Sequence, residues 1–91
     1  MKTYFVSNTG YVIEYDAVKL TEKSVFIADG TPNGRREARW KSGIGWYCDN
    51  KRDAAMAGVA AAELRIKAYE RQIAQCKKYI AENKAELGLL D

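Results

Sequence analysis

The sequence predicts an α+β fold: an antiparallel β-meander of four or five strands followed by one long C-terminal α-helix with a coiled-coil-like seam. Three observations predict it. The first half of the chain holds short β-branched and aromatic runs that alternate in polarity and are separated by turn clusters. The second half is made of strong helix formers, with no Pro or Gly between Gly58 and Gly88. Within it Val59, Ile66, Ile73, Ile80 and Leu87 recur every seven residues, and Ala62, Tyr69, Cys76 and Asn83 follow the first four of them by three positions.

Each element has its own signal. Thr3-Tyr4-Phe5-Val6 is β-favouring and is closed by the turn cluster Ser7-Asn8-Thr9-Gly10. From Tyr11 to Leu20, Tyr11, Ile13 and Tyr15 alternate with Val12, Glu14 and Asp16. Ser24-Val25-Phe26-Ile27-Ala28 follows the turn Thr21-Glu22-Lys23. Asp29 to Gly34 is the strongest loop signal and holds the only proline. The run from Arg35 to Lys41 places Arg36, Ala38 and Trp40 on one face and Glu37 and Arg39 on the other. Ser42-Gly43 turns the chain into Ile44-Gly45-Trp46-Tyr47-Cys48. Short connections favour pairing of successive strands. Asp49-Asn50 ends the sheet, and Asn50 with Asp53 three residues on suits a helix start. Gly88 suits its end.

The chain thus reads as a single domain over residues 1–91, with a sheet over 1–49 and a helix over 50–88. A helix of about 35 residues is ~50 Å long, whereas a strand of ordinary length spans only ~17–20 Å. The first half of the helix is expected to lie on the sheet and the second half to project. Val25, Ile27, Trp40, Trp46, Met56, Val59 and Leu64 are the expected shared core, with the Ala-rich run Ala54–Ala62 allowing close approach.

Composition narrows the function. The net charge of +3 permits an acidic partner, but a dedicated nucleic-acid binder is usually more basic. Met1-Lys2-Thr3 leads straight into a strand-like run, so no secretory leader is expected, and no stretch reaches the ~18 apolar residues of a membrane span. Two isolated cysteines fit a reduced, cytoplasmic setting. With no histidine, Ser-His and Cys-His catalysis is excluded, and no zinc spacing or phosphate loop is present. Cys48, close to Lys51, Arg52 and a helix start, is the one candidate for a lowered thiol pKa, although a small buried strand residue is the simpler reading. No catalytic residue, metal site or cofactor is expected.

Two surfaces remain. The first is the hairpin from Arg35 to Lys41, where Arg35, Arg36, Arg39 and Lys41 surround Trp40 with Tyr47 on the next strand. Arg and Trp are the residues of protein hot spots, and cations beside aromatic rings also hold single-stranded nucleic acid. The alternative places the tryptophans in the core, with the arginines keeping an edge hairpin soluble. The second surface is the helix seam, with Ile66, Tyr69, Ile73, Cys76, Ile80 and Leu87 as an expected homodimer interface. An antiparallel register sets Glu63 against Lys84, Glu70 against Lys77 and Arg65 against Glu86 of the second copy, and stacks Ile73 on its Cys76. All three charge pairs attract, which a parallel pair does not achieve.

The phrases VKLTEKSVFI and WYCDNKRDAAMA, the latter opening the long helix, give the chain a style that resembles small bacteriophage-encoded accessory proteins. The resemblance implies a non-enzymatic inhibitor or adaptor acting in the host cytoplasm on a host or defence protein, as the anti-CRISPR inhibitors do. It transfers no residue roles. The mild positive charge departs from inhibitors that mimic DNA. The expectation is therefore a dimeric protein-binding module, with nucleic-acid binding through the Arg35–Lys41 hairpin as the alternative.

Overall fold

The computed structural model describes residues 1–90, with side chains through Gly88. Its elements are β1 (Lys2–Ser7), β2 (Val12–Leu20), β3 (Ser24–Ile27), β4 (Arg35–Ala38), β5 (Trp40–Lys41), β6 (Gly45–Cys48) and α1 (Lys51–Leu90). The class is α+β, with an antiparallel sheet followed by one long helix. There are six strands rather than four or five because Arg39 divides the Arg35–Lys41 run in two.

That division shapes the sheet. The strand order is β4-β3-β2-β1-β6-β5, so β4 and β5 lie at opposite edges although only Arg39 separates them in sequence. The Arg39 N–H donates to the Lys23 carbonyl at 3.0 Å, and its carbonyl accepts from the Tyr47 N–H at 2.9 Å. The two edges therefore meet at one residue and the sheet curls into a small barrel. Successive pairing holds from β1 to β4, and β6 completes the curl by pairing with β1.

The curl encloses the core. Phe5, Val25, Ile27 and Tyr47 are buried together, with Tyr15 and Leu20 packed against them. Phe5 and Tyr47 are cross-strand partners whose ring centroids lie 5.1 Å apart at a tilted 57°. Such tilted aromatic pairs add modestly to the burial itself. Gly45 makes room for Phe5, since a Cβ there would fall 2.7 Å from the Phe5 ring and 2.2 Å from the Val6 carbonyl.

The helix docks on the outside of the barrel, chiefly on β1, with β6 and β2 at its flanks. Val6 is fully buried although it points away from Phe5 along β1. The helix contributes small residues to this contact: Ala54, Gly58 and Ala61 are buried. Gly10, at φ 105°, and Gly58 bring two backbones together, because a Cβ at Gly58 would fall 2.7 Å from the Gly10 carbonyl oxygen. Ser7 fixes that turn; its Oγ accepts from the N–H groups of Thr9, Gly10 and Tyr11 at 3.1–3.3 Å.

Val25 and Ile27 are core, as expected, but the other expected core residues are not. Met56, Val59, Leu64 and Trp40 are exposed, and Trp46 is half-buried. The physical reason is the contact at Gly10 and Gly58. Backbones this close leave no layer for large side chains, so these turn aside to the helix flanks.

The helix starts as the sequence implied. The Asp53 N–H donates to Asn50 Oδ1 and Asn50 Nδ2 to Asp53 Oδ2, both at 2.8 Å. The helix then runs without a break past Asn83. Every residue from Tyr69 to Gly88 is exposed. The molecule measures 72 × 24 × 19 Å, its long dimension being the helix.

Candidate binding surfaces on the two helix flanks

Trp40 on β5 and Trp46 on β6 are cross-strand partners. Their rings stack at 5.6 Å between centroids and 21° between planes. The hairpin turn that joins them holds this pair over one flank of α1, where Ala57, Ala60, Ala61, Leu64 and Ala68 form an apolar wall. Between wall and rings lies a groove of about 430 Å³, in the size range of ligand pockets. Asn8 and Arg65 are its only polar lining residues. Asn8 is held in place, its Nδ2 donating to the Gly43 carbonyl at 2.6 Å. The Arg65 guanidinium lies 6.0 Å from the Tyr69 ring centroid.

The cations of the Arg35–Lys41 hairpin are largely engaged inside the molecule. Glu37, on the inward side of β4, pairs with Arg35 at 3.0 Å and with Lys41 at 2.7 Å. The Lys41 hydrogen bond, with the positive charges of Lys41 and Arg35, holds the Glu37 carboxyl below its ordinary value, and Glu37 raises Lys41 in return. Arg39 pairs with Asp49 at 2.7 Å and also donates to the Thr21 carbonyl. Arg36 Nε donates to Ser24 Oγ at 3.1 Å. Tyr47 is a core ring, and burial pushes its hydroxyl pKa up. Of the six residues expected to meet a partner, Trp40 alone offers a large free aromatic surface, at 68% exposed.

Cys48 follows the simpler of its two readings, a strand-end residue partly shielded from solvent. Burial pushes its thiol up; the Trp46 hydrogen bond opposes this in part, the charges of Asp53 and Asp49 add to the rise, and Arg39 lowers it least. Lys51 and Arg52 do not make it a reactive thiolate. Among the described residues no group of three potential ligands gathers to hold a metal, and no helix is long and apolar enough to cross a membrane.

The seam occupies the other flank of α1. Ile66, Tyr69, Ile73, Cys76, Ile80 and Leu87 are all exposed. At about 100° per residue, Val59 lies about 140° round the axis from Ala54, while the groove residues Ala57 and Leu64 lie about 60–80° round in the opposite sense. The seven-residue row then drifts by ~20° per heptad, so Leu87 ends nearer the line of Ala54, beyond the sheet. The helix thus divides into a docked face of small residues, a groove flank and a seam flank.

Leu64, Ala57, Ala60 and Ala68 were not expected at a site. The available signal was the pairing of two tryptophans across the Ser42-Gly43 turn, which sets both on one strand face. Neither a protein-family model, a curated protein nor a solved structure matches this chain.

Proposed function

We propose that this chain is a non-enzymatic protein-binding module that works as a homodimer joined through the α1 seam. The observation that carries this reading is the apolar row itself. Ile66, Ile73 and Ile80 are each 54% exposed along a stretch of helix that none of the other described residues covers. Isolated apolar residues on a surface are ordinary, but a continuous row marks an interaction surface. Charge direction selects the antiparallel arrangement, because Glu63 and Glu70 precede Lys77 and Lys84 and only reversal brings opposites together. Each exposed pair contributes about 0.3–0.5 kcal/mol, enough to orient the helices and little more. The dimer then acts as an inhibitor or adaptor, and the choice of a host or defence protein in the cytoplasm as its target rests on the likeness to phage accessory proteins alone.

Sedimentation tests the dimer. The wild type should sediment as a dimer at micromolar concentration and Ile73→Asp as a folded monomer. A monomeric wild type overturns the reading. Efficient cross-linking of Cys76 to its own counterpart would instead mean parallel helices, since the antiparallel register sets Cys76 against Ile73.

One observation favours the second reading, nucleic-acid binding: the stacked, partly open Trp40–Trp46 pair offers faces on which bases stack. Against it, the neighbouring cations are paired with Glu37 and Asp49. Fluorescence anisotropy with single- and double-stranded DNA and RNA over a salt series separates the two readings, because phosphate binding weakens steeply with salt.

A further inference from the structure

We propose that the groove between the Trp40–Trp46 pair and α1 binds an acidic peptide segment that inserts a large apolar side chain. The inference rests on the protein-binding reading and adds the site and the chemistry of its partner. The Ile73→Asp variant tests it apart from the dimer; Arg65 borders both surfaces, since the antiparallel register also sets it against Glu86 of the second copy.

The walls decide what enters. Two tryptophan faces and a row of alanines capped by Leu64 offer dispersion and burial but few hydrogen bonds. A leucine, isoleucine or aromatic side chain suits such a cleft. A nucleobase finds only Asn8 and Arg65 to hydrogen-bond its edge groups, which gives it little specific hold. The short alanine side chains keep the wall low, so the incoming chain can lie along the helix with its anchor between wall and rings.

The rim decides the charge. Arg65 lines the groove, and Lys67 and Arg71 stand three residues beyond the lining residues Leu64 and Ala68, about one turn further along that flank. None of the three has a carboxylate within ion-pair distance among the described residues. Lys67 and Arg71 are exposed, and Arg71 Nε donates to the Lys67 carbonyl at 3.4 Å, whereas the hairpin cations are held by Glu37, Asp49 and Ser24. At the opposite end of the groove flank Asp53 is held by the helix cap, and Asp49 by Arg39. Along this stretch of the helix Arg65, Lys67 and Arg71 outnumber Glu63 and Glu70, so this end of the groove carries a net positive charge. An acidic segment complements it, and the polarity orients the segment along α1. Trp and Arg, the two residue types that dominate protein hot spots, thus stand together at one groove.

The test pans a random-peptide display library against the full-length protein, once as wild type and once as Ile73→Asp. Enriched peptides should carry one aromatic or branched apolar anchor flanked by Asp and Glu, and both proteins should select them. Trp40→Ala should weaken a selected peptide about tenfold or more, as loss of a hot-spot aromatic does. Ala60→Glu should abolish binding by blocking the groove with a charge that repels the peptide. The triple variant Arg65→Glu, Lys67→Glu and Arg71→Glu should reverse the preference toward basic peptides. Circular dichroism melts establish that each variant folds. Selection of no peptide, selection without acidic preference, or binding that survives Trp40→Ala and Ala60→Glu overturns the proposal. Salt-sensitive binding of oligothymidylate at the same residues, with no peptide selected, would overturn the protein-binding reading as well. A peptide bound by a wild type that sediments as a monomer would retain the groove and remove only the dimer.

Discussion

Between Ala54 and Ala68 the helix meets the barrel through alanine and glycine, whereas between Tyr69 and Leu87 it carries tyrosines and isoleucines into solvent. One continuous helix thus follows two rules. Where it docks, contact is made by closeness of backbone, and the gain comes from many short-range contacts around Val6, Gly10 and Gly58. Where it projects, large side chains stand in a row with nothing over them. The difference teaches that large apolar side chains do not mark the intramolecular face of this helix: small residues mark it, and the large ones stand in solvent.

Substitution can break this comparison at its two extremes. Phe5→Ala should cost about 3–5 kcal/mol, because it removes a buried ring packed at a tilt against Tyr47. Ile73→Ala, an equally apolar residue, should change the stability of the monomer by no more than about 0.5 kcal/mol. Urea unfolding in the Ile73→Asp background gives the first value; the same titration of wild type and Ile73→Ala, at a concentration where both sediment as monomers, gives the second. A large loss from Ile73→Ala under those conditions would mean that the seam folds back on its own chain.

The two helix glycines sharpen it. Alanine is the better helix former by about 1 kcal/mol at either position. At Gly88 nothing lies within 4 Å of an added Cβ, so Gly88→Ala should be neutral or slightly stabilising. At Gly58 the added Cβ would fall 2.7 Å from the Gly10 carbonyl oxygen and 3.4 Å from Val12. Overpacking of about 1–3 kcal/mol should outweigh the propensity gain, leaving Gly58→Ala net destabilised by roughly 1 kcal/mol. Thermal melts of the two variants should therefore shift in opposite directions or, at least, by clearly different amounts. A stabilised Gly58→Ala would mean that the helix is not seated on the β1–β2 turn.

The smallest effect lies in the barrel's charge pairing. The folded pKa of Glu37 is held below its ordinary value of 4.5, so its stabilising contribution is complete above that value and is lost as pH falls through the lower, folded-state pKa. Lys41, raised by the same pair, keeps its contribution below its ordinary 10.5 and loses it only as pH rises through the raised value. Because Glu37 is partly solvated, its contribution should stay below about 1 kcal/mol. Denaturation curves recorded at descending pH should show wild type losing stability relative to Glu37→Gln below about pH 4.5. Parallel curves for the two proteins would remove the pair from the account.

What was legible in the sequence follows from periodicity. The period-two runs located the strands, Asn50 and Asp53 located the helix start, and uninterrupted helix formers gave a helix longer than any sheet of this size could cover. These are local properties, fixed by backbone geometry and side-chain shape. The seven-residue row was legible for the same reason, and its exposure follows from length alone. Tertiary structure decided the rest. That Arg39 joins two sheet edges depends on curvature, which pairing rules along one strand do not encode. That Trp40 turns outward while Glu37 and Arg39 turn inward depends on which face of β4 the barrel encloses, and alternation is blind to that choice. That Ala54, Gly58 and Ala61 dock, leaving Leu64 to border a groove, depends on the closest distance two backbones reach. Sequence patterns report the polarity of a face; only packing in three dimensions reports what stands opposite it.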